Sequence, residues 1–211
     1  MKTMIAVPCM DMVHTLFFRS VIGMKCFGEC EFVITTSSLI YDARNLMARK
    51  AIDEGFDRIL WLDSDMIFEP DLFMRLSERL NEGYDFVSAL YFKRKDPIEP
   101  VIYKTVYSRD LGNGKYEPKA ISYADYPRDS VFEIAASGFG AVMMNVDVVR
   151  DVHEKFGLPF APVIGFGEDL SFCQRAIQSG YKLYCDSTIK CGHMAFRQIT
   201  EGDYVLRESN I

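Results

Sequence analysis

Apolar and polar positions along the first ninety residues predict strands and helices in turn. Short apolar runs bounded by polar or glycine residues predict strands at 3–7, 32–35 and 86–90, and a further strand that begins at Ile59 and ends in Asp63. Apolar residues at helical spacing predict helices at 13–24, 43–53 and 71–81. Strands and helices that alternate with short connections are typical of a parallel, doubly wound sheet.

The pattern changes after Tyr91, where prolines interrupt the chain. Alternation predicts a strand at 101–107, the sequence Gly112-Asn113-Gly114 predicts a hairpin turn, and another strand is predicted at 131–135. An apolar strand resumes after the glycines of 137–144, a helix is predicted at 168–179 and a strand at 182–185, and a polar tail begins near Arg197. We therefore expect an α/β fold with a mostly parallel central sheet, flanking helices and an antiparallel portion in the second half.

Composition limits the classes of protein. A chain of 211 residues with 49% hydrophobic residues fits one compact domain. A formal net charge of −6 argues against a broad electrostatic grip on nucleic acid or anionic membrane, and the basic triplet Lys93-Arg94-Lys95 is interpreted as a solvated loop in preference to a local groove. No apolar run is long enough to span a bilayer, and Pro8 interrupts the N-terminal run, so we expect a soluble, cytoplasmic protein. Six cysteines without a Cys-x-x-Cys pair indicate free, mostly buried thiols.

Two carboxylates one residue apart, Asp63 and Asp65, follow the most apolar strand. At the carboxyl end of an extended strand both side chains can face one hard cation, such as Mn²⁺ or Mg²⁺. Ligands of open α/β sheets bind at this edge. An isolated pair of this kind also fits a strand end and a helix cap, so its interpretation depends on the rest of the chain.

Other clusters fit the same site. The segment Pro8–Asp11 follows the first strand, and Asp42 is predicted to cap the second helix, where the exposed amides of Ala43-Arg44-Asn45 favour an anion. Arg44 is interpreted either as a ligand of a base or phosphate or as a surface ion-pair partner. His193 follows the last strand after a glycine, which favours a third metal ligand, whereas a lone histidine is more often structural.

The acids Glu168 and Asp169 open a helix after the glycines of Gly165-Phe166-Gly167. Capping alone explains acids at this position, because the helix dipole favours negative charge there. A carboxylate that faces a metal-bearing pocket would instead act as the general base for a hydroxyl acceptor. Both interpretations stay open at the level of the sequence.

Together these motifs resemble the GT-A-fold, metal-dependent nucleotide-sugar glycosyltransferases, in particular small family-2-like members from bacterial and phage genomes. The resemblance covers roughly 4–194. Ala6-Val7-Pro8 resembles the first strand and nucleotide loop, Ala43-Arg44-Asn45 the Arg-Asn helix start, and Asp63-Ser64-Asp65 the DxD motif. Glu168-Asp169 resembles the acceptor-side acid motif, and Gly192-His193 resembles the metal-binding histidine segment.

The resemblance implies a role for each of these residues. Asp65, Asp63 and His193 would bind Mn²⁺ or Mg²⁺, and Asp169 beside Glu168 would be the base of an inverting enzyme. The nucleotide-diphosphate sugar, UDP- rather than GDP-linked, would be bound by residues near the sheet edge and in the glycine segment: Pro8, Asp11, Asp42, Arg44, Asp63, Ser64, Gly138, Phe139 and Gly140. Residues 1–196 would be one domain, with a nucleotide-binding half at 1–92, an acceptor and metal half at 93–196, and a tail at 197–211.

Several alternatives stay open. Cys9 and Met10 stand where family-2 enzymes often carry a polar residue, and some retaining enzymes share the Arg-Asn and DxD motifs, in which case Asp169 would position substrate. A sugar-phosphate nucleotidyltransferase would show a glycine-rich basic loop after the first strand, which Val7-Pro8-Cys9-Met10-Asp11 does not offer. A non-catalytic nucleotide- or carbohydrate-binding module has no need of an acid near the acceptor. The acceptor hydroxyl is of unknown class, and nucleic acid is expected only as a modified-base acceptor.

Overall fold

The computed structural model describes residues 1–163 and 165–195. These residues form twelve strands: β1 (Lys2–Cys9), β2 (Glu29–Thr36), β3 (Arg58–Leu62), β4 (Met66–Ile67), β5 (Phe86–Leu90), β6 (Ile102–Gly112), β7 (Lys115–Ser122), β8 (Val131–Ile134), β9 (Ala136–Ser137), β10 (Ala141–Asn145), β11 (Leu183–Lys190) and β12 (Gly192–His193). The same described residues form five helices: α1 (Thr15–Gly23), α2 (Ile40–Asp53), α3 (Leu72–Asn81), α4 (Val146–Phe156) and α5 (Glu168–Gln178).

A seven-stranded sheet in the order β2-β1-β3-β10-β5-β11-β8 forms the centre of the described chain. Pairs β1–β2, β1–β3 and β5–β11 are parallel, whereas β10 runs antiparallel to both β3 and β5, and β8 runs antiparallel to β11. Five of these seven strands therefore share one direction. This confirms the prediction of a mostly parallel α/β sheet with antiparallel strands in the second half.

The two faces of this sheet are covered by different helices. Successive side chains of a strand face opposite ways, so Met4 and Ala6 of β1 pack with α2, α4 and α5, while Ile5 and Val7 pack with α1 and α3. Strand β3 is buried along its whole length. Burial on both faces explains its continuous apolar sequence and leaves its carboxyl end as the first place for polar residues.

Smaller elements complete the fold beside this sheet edge. Strands β6 and β7 form a long antiparallel hairpin around the predicted Gly112–Gly114 turn, and β9 pairs with the start of β6. The two-residue strands β4 and β12 pair with each other, with His193 opposite Met66. This short pairing brings the last described strand next to the Asp63–Asp65 segment.

The structure also differs from the predicted elements. Helix α2 begins at Ile40, three residues before the predicted start, with Leu39 as its cap residue; Asp42 is therefore an exposed first-turn residue and does not cap the helix. Helix α4 had no predicted bounds.

All six cysteines are free and four are buried. The predicted tail from about 197 lies outside the described residues. None of the described helices combines the length and apolar character that a membrane crossing needs.

Candidate active site

A cavity of about 410 Å³ opens where strands β1 and β3 end. Residues that end or follow five strands of the sheet, β1, β2, β3, β5 and β11, approach each other there, as expected for the carboxyl edge of an α/β sheet. The cavity is lined by a mixture of acidic, basic and apolar residues: Pro8, Cys9, Met10, Ser37, Ile40, Asp63, Ser64, Asp65, Tyr91, Arg94, Val101, Asp169 and His193. Six of the predicted site residues, namely Pro8, Asp63, Ser64, Asp65, Asp169 and His193, therefore meet at one cavity.

Asp63 forms its ion pair on the buried side of this cavity. Arg44 Nη2 donates to Asp63 Oδ1 at 2.7 Å, and Arg44 Nε lies 3.3 Å from Glu168 Oε1. The Arg44 side chain is only 1% exposed, so the interpretation of Arg44 as a surface ion-pair partner is wrong. One guanidinium thus joins the DxD segment to the start of helix α5.

Arg44 is enclosed by aromatic rings. Its guanidinium carbon lies 5.1 Å from the ring centroid of Phe139, 5.8 Å from Trp61 and 6.0 Å from Phe160. Rings at these distances attract a cation and exclude water from it. Arg44 Nη1 is buried without a hydrogen-bond partner among the described residues, so this guanidinium retains an unused donor.

Asp65 forms its ion pairs on the open side of the cavity. Arg94 Nη1 lies 2.5 Å from Asp65 Oδ2, and His193 Nε2 lies 3.5 Å from Asp65 Oδ1. Burial opposes ionisation of Asp65, but the hydrogen bond and charge of His193, together with the charge of Arg94, outweigh it and hold the pKa of Asp65 below its ordinary value. Asp65 is therefore an ionised carboxylate with a guanidinium on one oxygen and an imidazole near the other.

The orientation of His193 suits a metal ligand. The carbonyl of Phe92 can only accept a hydrogen bond, so His193 Nδ1, 2.9 Å away, is the donor. In the neutral ring this leaves the lone pair of Nε2 facing Asp65, which is how a backbone carbonyl fixes the tautomer of a metal-binding histidine. A backbone hydrogen bond also holds the His193 segment next to Asp65, because Met194 N donates to the Asp65 carbonyl at 3.0 Å.

These side chains fit a cation that is shared with phosphate. Among residues 1–163 and 165–195, no three His, Cys, Asp or Glu side chains converge into a preformed metal site. Mg²⁺ and similar ions are commonly held by one or two carboxylates while waters and substrate phosphates supply the remaining ligands. Asp65 with His193, and Asp63 nearby in the same cavity, are sufficient for a site of that kind.

Asp169 also lines the cavity, at the first turn of α5. Burial, followed by the negative charge of neighbouring Glu168, raises the pKa of Asp169 to about 6, although the Leu170 amide donates to its Oδ1 at 2.7 Å. Glu168 itself points to Arg44. The two adjacent acids therefore have different environments, one paired with a cation and one with its pKa raised at the cavity wall.

None of the other seven predicted residues lines the cavity: Arg44 and Glu168 lie beneath it, and the remaining five lie elsewhere. Gly138 and Gly140 are buried behind Tyr91, whose hydroxyl accepts a hydrogen bond from Gly140 N at 3.1 Å, and Phe139 is buried against Arg44. A Cβ built on Gly138 would lie 2.1 Å from the Tyr91 hydroxyl oxygen, so close approach of Tyr91 accounts for this glycine. Asp11 and Asp42 are exposed outside the cavity lining.

Sequence reasoning missed several lining residues: Ser37, Ile40, Val101, Tyr91 and Arg94. Tyr91 was treated only as the point where the pattern changes, and Arg94 belongs to the triplet that was interpreted as a solvated loop. Arg94 lies in an exposed loop, as interpreted, but its side chain also lines the cavity and forms an ion pair with Asp65. The position of the triplet just after a strand end was the available signal.

The fold is shared with known glycosyltransferases. The chain is similar to A197 from STIV, with 20% identity, 92% of this chain and 86% of that chain covered, and a TM-score of 0.64. It is similar to GalNAc-T7 solved with UDP, GalNAc and Mn²⁺, with 12% identity, 93% and 43% covered, and a TM-score of 0.61. It is also similar to residues 1–349 of TarS from S. aureus, with 15% identity, 92% and 60% covered, and a TM-score of 0.58.

These likenesses establish the fold and no more. The chain spans less than two thirds of the GalNAc-T7 and TarS chains it matches. No protein-family model matches the sequence, and no curated protein matches it either. The chain therefore has the GT-A fold of glycosyltransferases, while the narrower family-2 and phage assignment stays a prediction.

Proposed function

We propose that this protein is a metal-dependent glycosyltransferase that transfers a sugar from a nucleotide-diphosphate sugar to a hydroxyl acceptor. The observation that carries the proposal is the meeting of Asp63, Asp65, Asp169 and His193 at one cavity on the carboxyl edge of a GT-A sheet. A binding module of the same fold would need the nucleotide contacts but not an acid with a raised pKa at the cavity wall.

Asp65 and His193 are the proposed protein ligands of Mn²⁺ or Mg²⁺, with Asp63 beside them for the ion or the donor ribose. When bound, such an ion would neutralise the negative charge that develops on the departing nucleoside diphosphate. The occurrence of UDP and Mn²⁺ in the GalNAc-T7 structure supports this choice of ion and favours UDP over GDP as the nucleotide.

Asp169 is the proposed general base of an inverting transfer. Its carboxylate would take the proton of the acceptor hydroxyl while the acceptor oxygen bonds to the anomeric carbon and the bond from that carbon to the diphosphate breaks. A base is most effective when its pKa lies near the working pH, and a pKa of about 6 suits this role better than that of an ordinary carboxylate. Glu168, held by Arg44, would keep the start of α5 in place.

The test is release of free UDP or GDP from a panel of nucleotide sugars, with Mn²⁺, with Mg²⁺ and with EDTA. We expect metal-dependent release from one donor and a loss of about a hundredfold or more in Asp65→Asn, because a metal contributes several kcal/mol of charge stabilisation. Asp11→Asn is the matched control, since Asp11 is an exposed aspartate outside the cavity.

Three outcomes would count against the proposal. Release that continues at the same rate in EDTA would disprove metal dependence. Equal losses in Asp65→Asn and Asp11→Asn would show that the cavity is not the site. If no donor is hydrolysed and neither UDP nor GDP with Mn²⁺ raises the melting temperature, the protein has no nucleotide site of this kind and the proposal fails.

A further inference from the structure

Arg94 is the only Arg or Lys side chain that lines the cavity in the part of the chain that the structure describes. Three carboxylates line the same cavity: Asp63, Asp65 and Asp169. Arg44 lies beneath the cavity, where it pairs with Asp63 and Glu168. A nucleoside diphosphate would therefore meet a surplus of negative charge unless a cation compensates. Among the described residues, Arg94 supplies the one permanent positive charge at the cavity wall.

The loop that carries Arg94 has a fixed base and an exposed tip. Lys93 N donates to the Glu99 carbonyl at 2.9 Å, the Lys93 ammonium lies 2.5 Å from Glu99 Oε2, and Val101 N donates to the Tyr91 carbonyl at 2.9 Å. Residues 94–98 are all exposed. Arg94 thus stands at the first position of the tip, with its backbone next to a fixed base and its side chain 50% exposed.

The same loop base orients His193. Phe92 pairs with Pro100 across the loop, and its carbonyl accepts the hydrogen bond from His193 Nδ1. Arg94 and His193 therefore approach Asp65 from one structural unit, each on a different oxygen of the carboxylate. Oδ2 of Asp65 is engaged by the guanidinium of an arginine whose side chain is 50% exposed and already lines the cavity.

We propose that Asp65 exchanges Arg94 for the divalent cation when donor binds, and that the released guanidinium then binds the diphosphate of the nucleotide. This inference rests on the proposed function and adds to it a second phosphate-binding cation. Asp65 would hold one cation at a time on Oδ2, so Arg94 and the metal compete in the absence of nucleotide. Once the diphosphate is present, both cations have an anion to neutralise and they cooperate.

Arg94 competes with the metal when nucleotide is absent and cooperates with it when nucleotide is bound. We therefore expect Arg94→Met to shift the two affinities in opposite directions. The affinity for Mn²⁺ alone should rise by roughly two- to fivefold, because a partly exposed competitor for Asp65 is removed. The affinity for UDP at saturating Mn²⁺ should fall by about tenfold or more, because a charge-assisted hydrogen bond to phosphate is lost. A variant that merely disturbed the site would weaken both.

Both affinities can be measured on the full chain by titration calorimetry, with Mn²⁺ alone and then with UDP in excess Mn²⁺. Lys95→Met is the matched control, because this substitution also removes one positive charge, at the neighbouring exposed position of the same loop. Circular dichroism would verify that each variant is folded. Opposite shifts in Arg94→Met, with neither shift in Lys95→Met, would support the exchange.

Other results would overturn it. A loss of UDP affinity with unchanged or weaker Mn²⁺ binding would mean that Arg94 does not compete for Asp65. Equal shifts in Arg94→Met and Lys95→Met would mean that the affinities depend on the overall charge of the loop and not on Arg94 in particular. Wild-type protein that binds Mn²⁺ and UDP, with both affinities unchanged in Arg94→Met, would disprove this inference but leave the proposed function standing. Wild type that binds neither would disprove the proposed function and this inference together.

Discussion

The two carboxylates of the DxD segment have nearly the same exposure but opposite kinds of partner. The side chains of Asp63 and Asp65 are 27% and 26% exposed, yet the side chain of Arg44, which pairs with Asp63, is 1% exposed and that of Arg94, which pairs with Asp65, is 50% exposed. Arg44 comes from the regular helix α2, whereas Arg94 comes from a loop tip. One ion pair is built into the fold, and the other lies where a ligand can replace it.

The comparison separates structural from exchangeable charge. A buried guanidinium that loses its partners, or a buried carboxylate that loses its guanidinium, has no water to replace the interaction. An exposed pair loses little when it breaks, since water solvates both groups. We therefore expect substitutions on the buried side to reduce stability and substitutions on the open side to change ligand binding.

The largest expected loss of stability follows Arg44→Met. Asp63 and Glu168 would keep their negative charges without a guanidinium, and the free energy of unfolding should fall by about 3 kcal/mol, the lower end for a broken buried ion pair because both carboxylates retain some access to water. Urea unfolding followed by circular dichroism measures this change. Arg49→Met is the matched control, since Arg49 is exposed on the same helix.

A second substitution tests the cause of that loss. Adding Glu168→Gln to Arg44→Met should recover part of the stability, because it removes one of the two charges left unpaired. If Arg44→Met costs under about 1 kcal/mol, or no more than Arg49→Met, then Arg44 is not a structural cation. The buried side would then be no different from the open side.

Asp169 combines features of both sides. It lies in helix α5 beside Glu168, which pairs with the buried Arg44, and its own side chain lines the cavity. In the folded protein its pKa is about 6, above the ordinary value of 3.8, so the folded state binds the proton more tightly than the unfolded state. The stability associated with Asp169 is therefore present at low pH and is lost as the pH rises through about 6. Asp169→Asn should thus stabilise the protein at neutral pH, by at most about 3 kcal/mol.

The same substitution should remove activity. Asn keeps an acceptor for the Leu170 amide but cannot take a proton, so a rate loss of about 10²–10⁴-fold is expected while nucleotide affinity is kept. Wild-type turnover should rise as the pH increases through about 6. Unfolding free energies of both proteins at pH 4 and pH 8, beside their rates, measure the two effects. An unchanged difference in stability between these pH values would mean that the pKa of Asp169 is not raised.

The sequence predicted the buried side of the fold better than the open side. The strand at 86–90 and the helix ends at 53 and 81 agree with the structure, because they are set by local burial and by glycines that follow. The bounds of α4 could not be predicted, because Val146, Val148 and Val149 follow strand β10 directly and valine favours strands.

The candidate site divides in the same way. Asp63 and Asp65 could be found because they follow a strand whose apolar run ends abruptly. Tyr91 could not, and for Arg94 the only signal was its place after a strand end, since both positions depend on contacts between distant parts of the chain, such as Phe92 with His193, 101 residues apart. Asp11 is near Pro8 in sequence, which predicts a site residue, but the chain leaves the cavity wall after Met10.

The smallest expected change in stability follows Arg94→Met. The guanidinium is half exposed, and exposed ion pairs contribute between about 0 and 1 kcal/mol, so the free energy of unfolding should change by less than about 1 kcal/mol without metal. Urea unfolding in the same buffer as Arg44→Met gives the direct comparison, and 0.5 M NaCl should reduce even this small difference through screening.

A loss in Arg94→Met close to that in Arg44→Met would contradict the comparison. It would mean that the loop tip is as firmly held as helix α2, and a guanidinium held so firmly would not leave Asp65 for a cation. Because Asp65 is 26% exposed and keeps its neighbour His193, its charge remains solvated after the substitution. The expected small effect therefore follows from the same geometry that makes Asp65 available to a ligand.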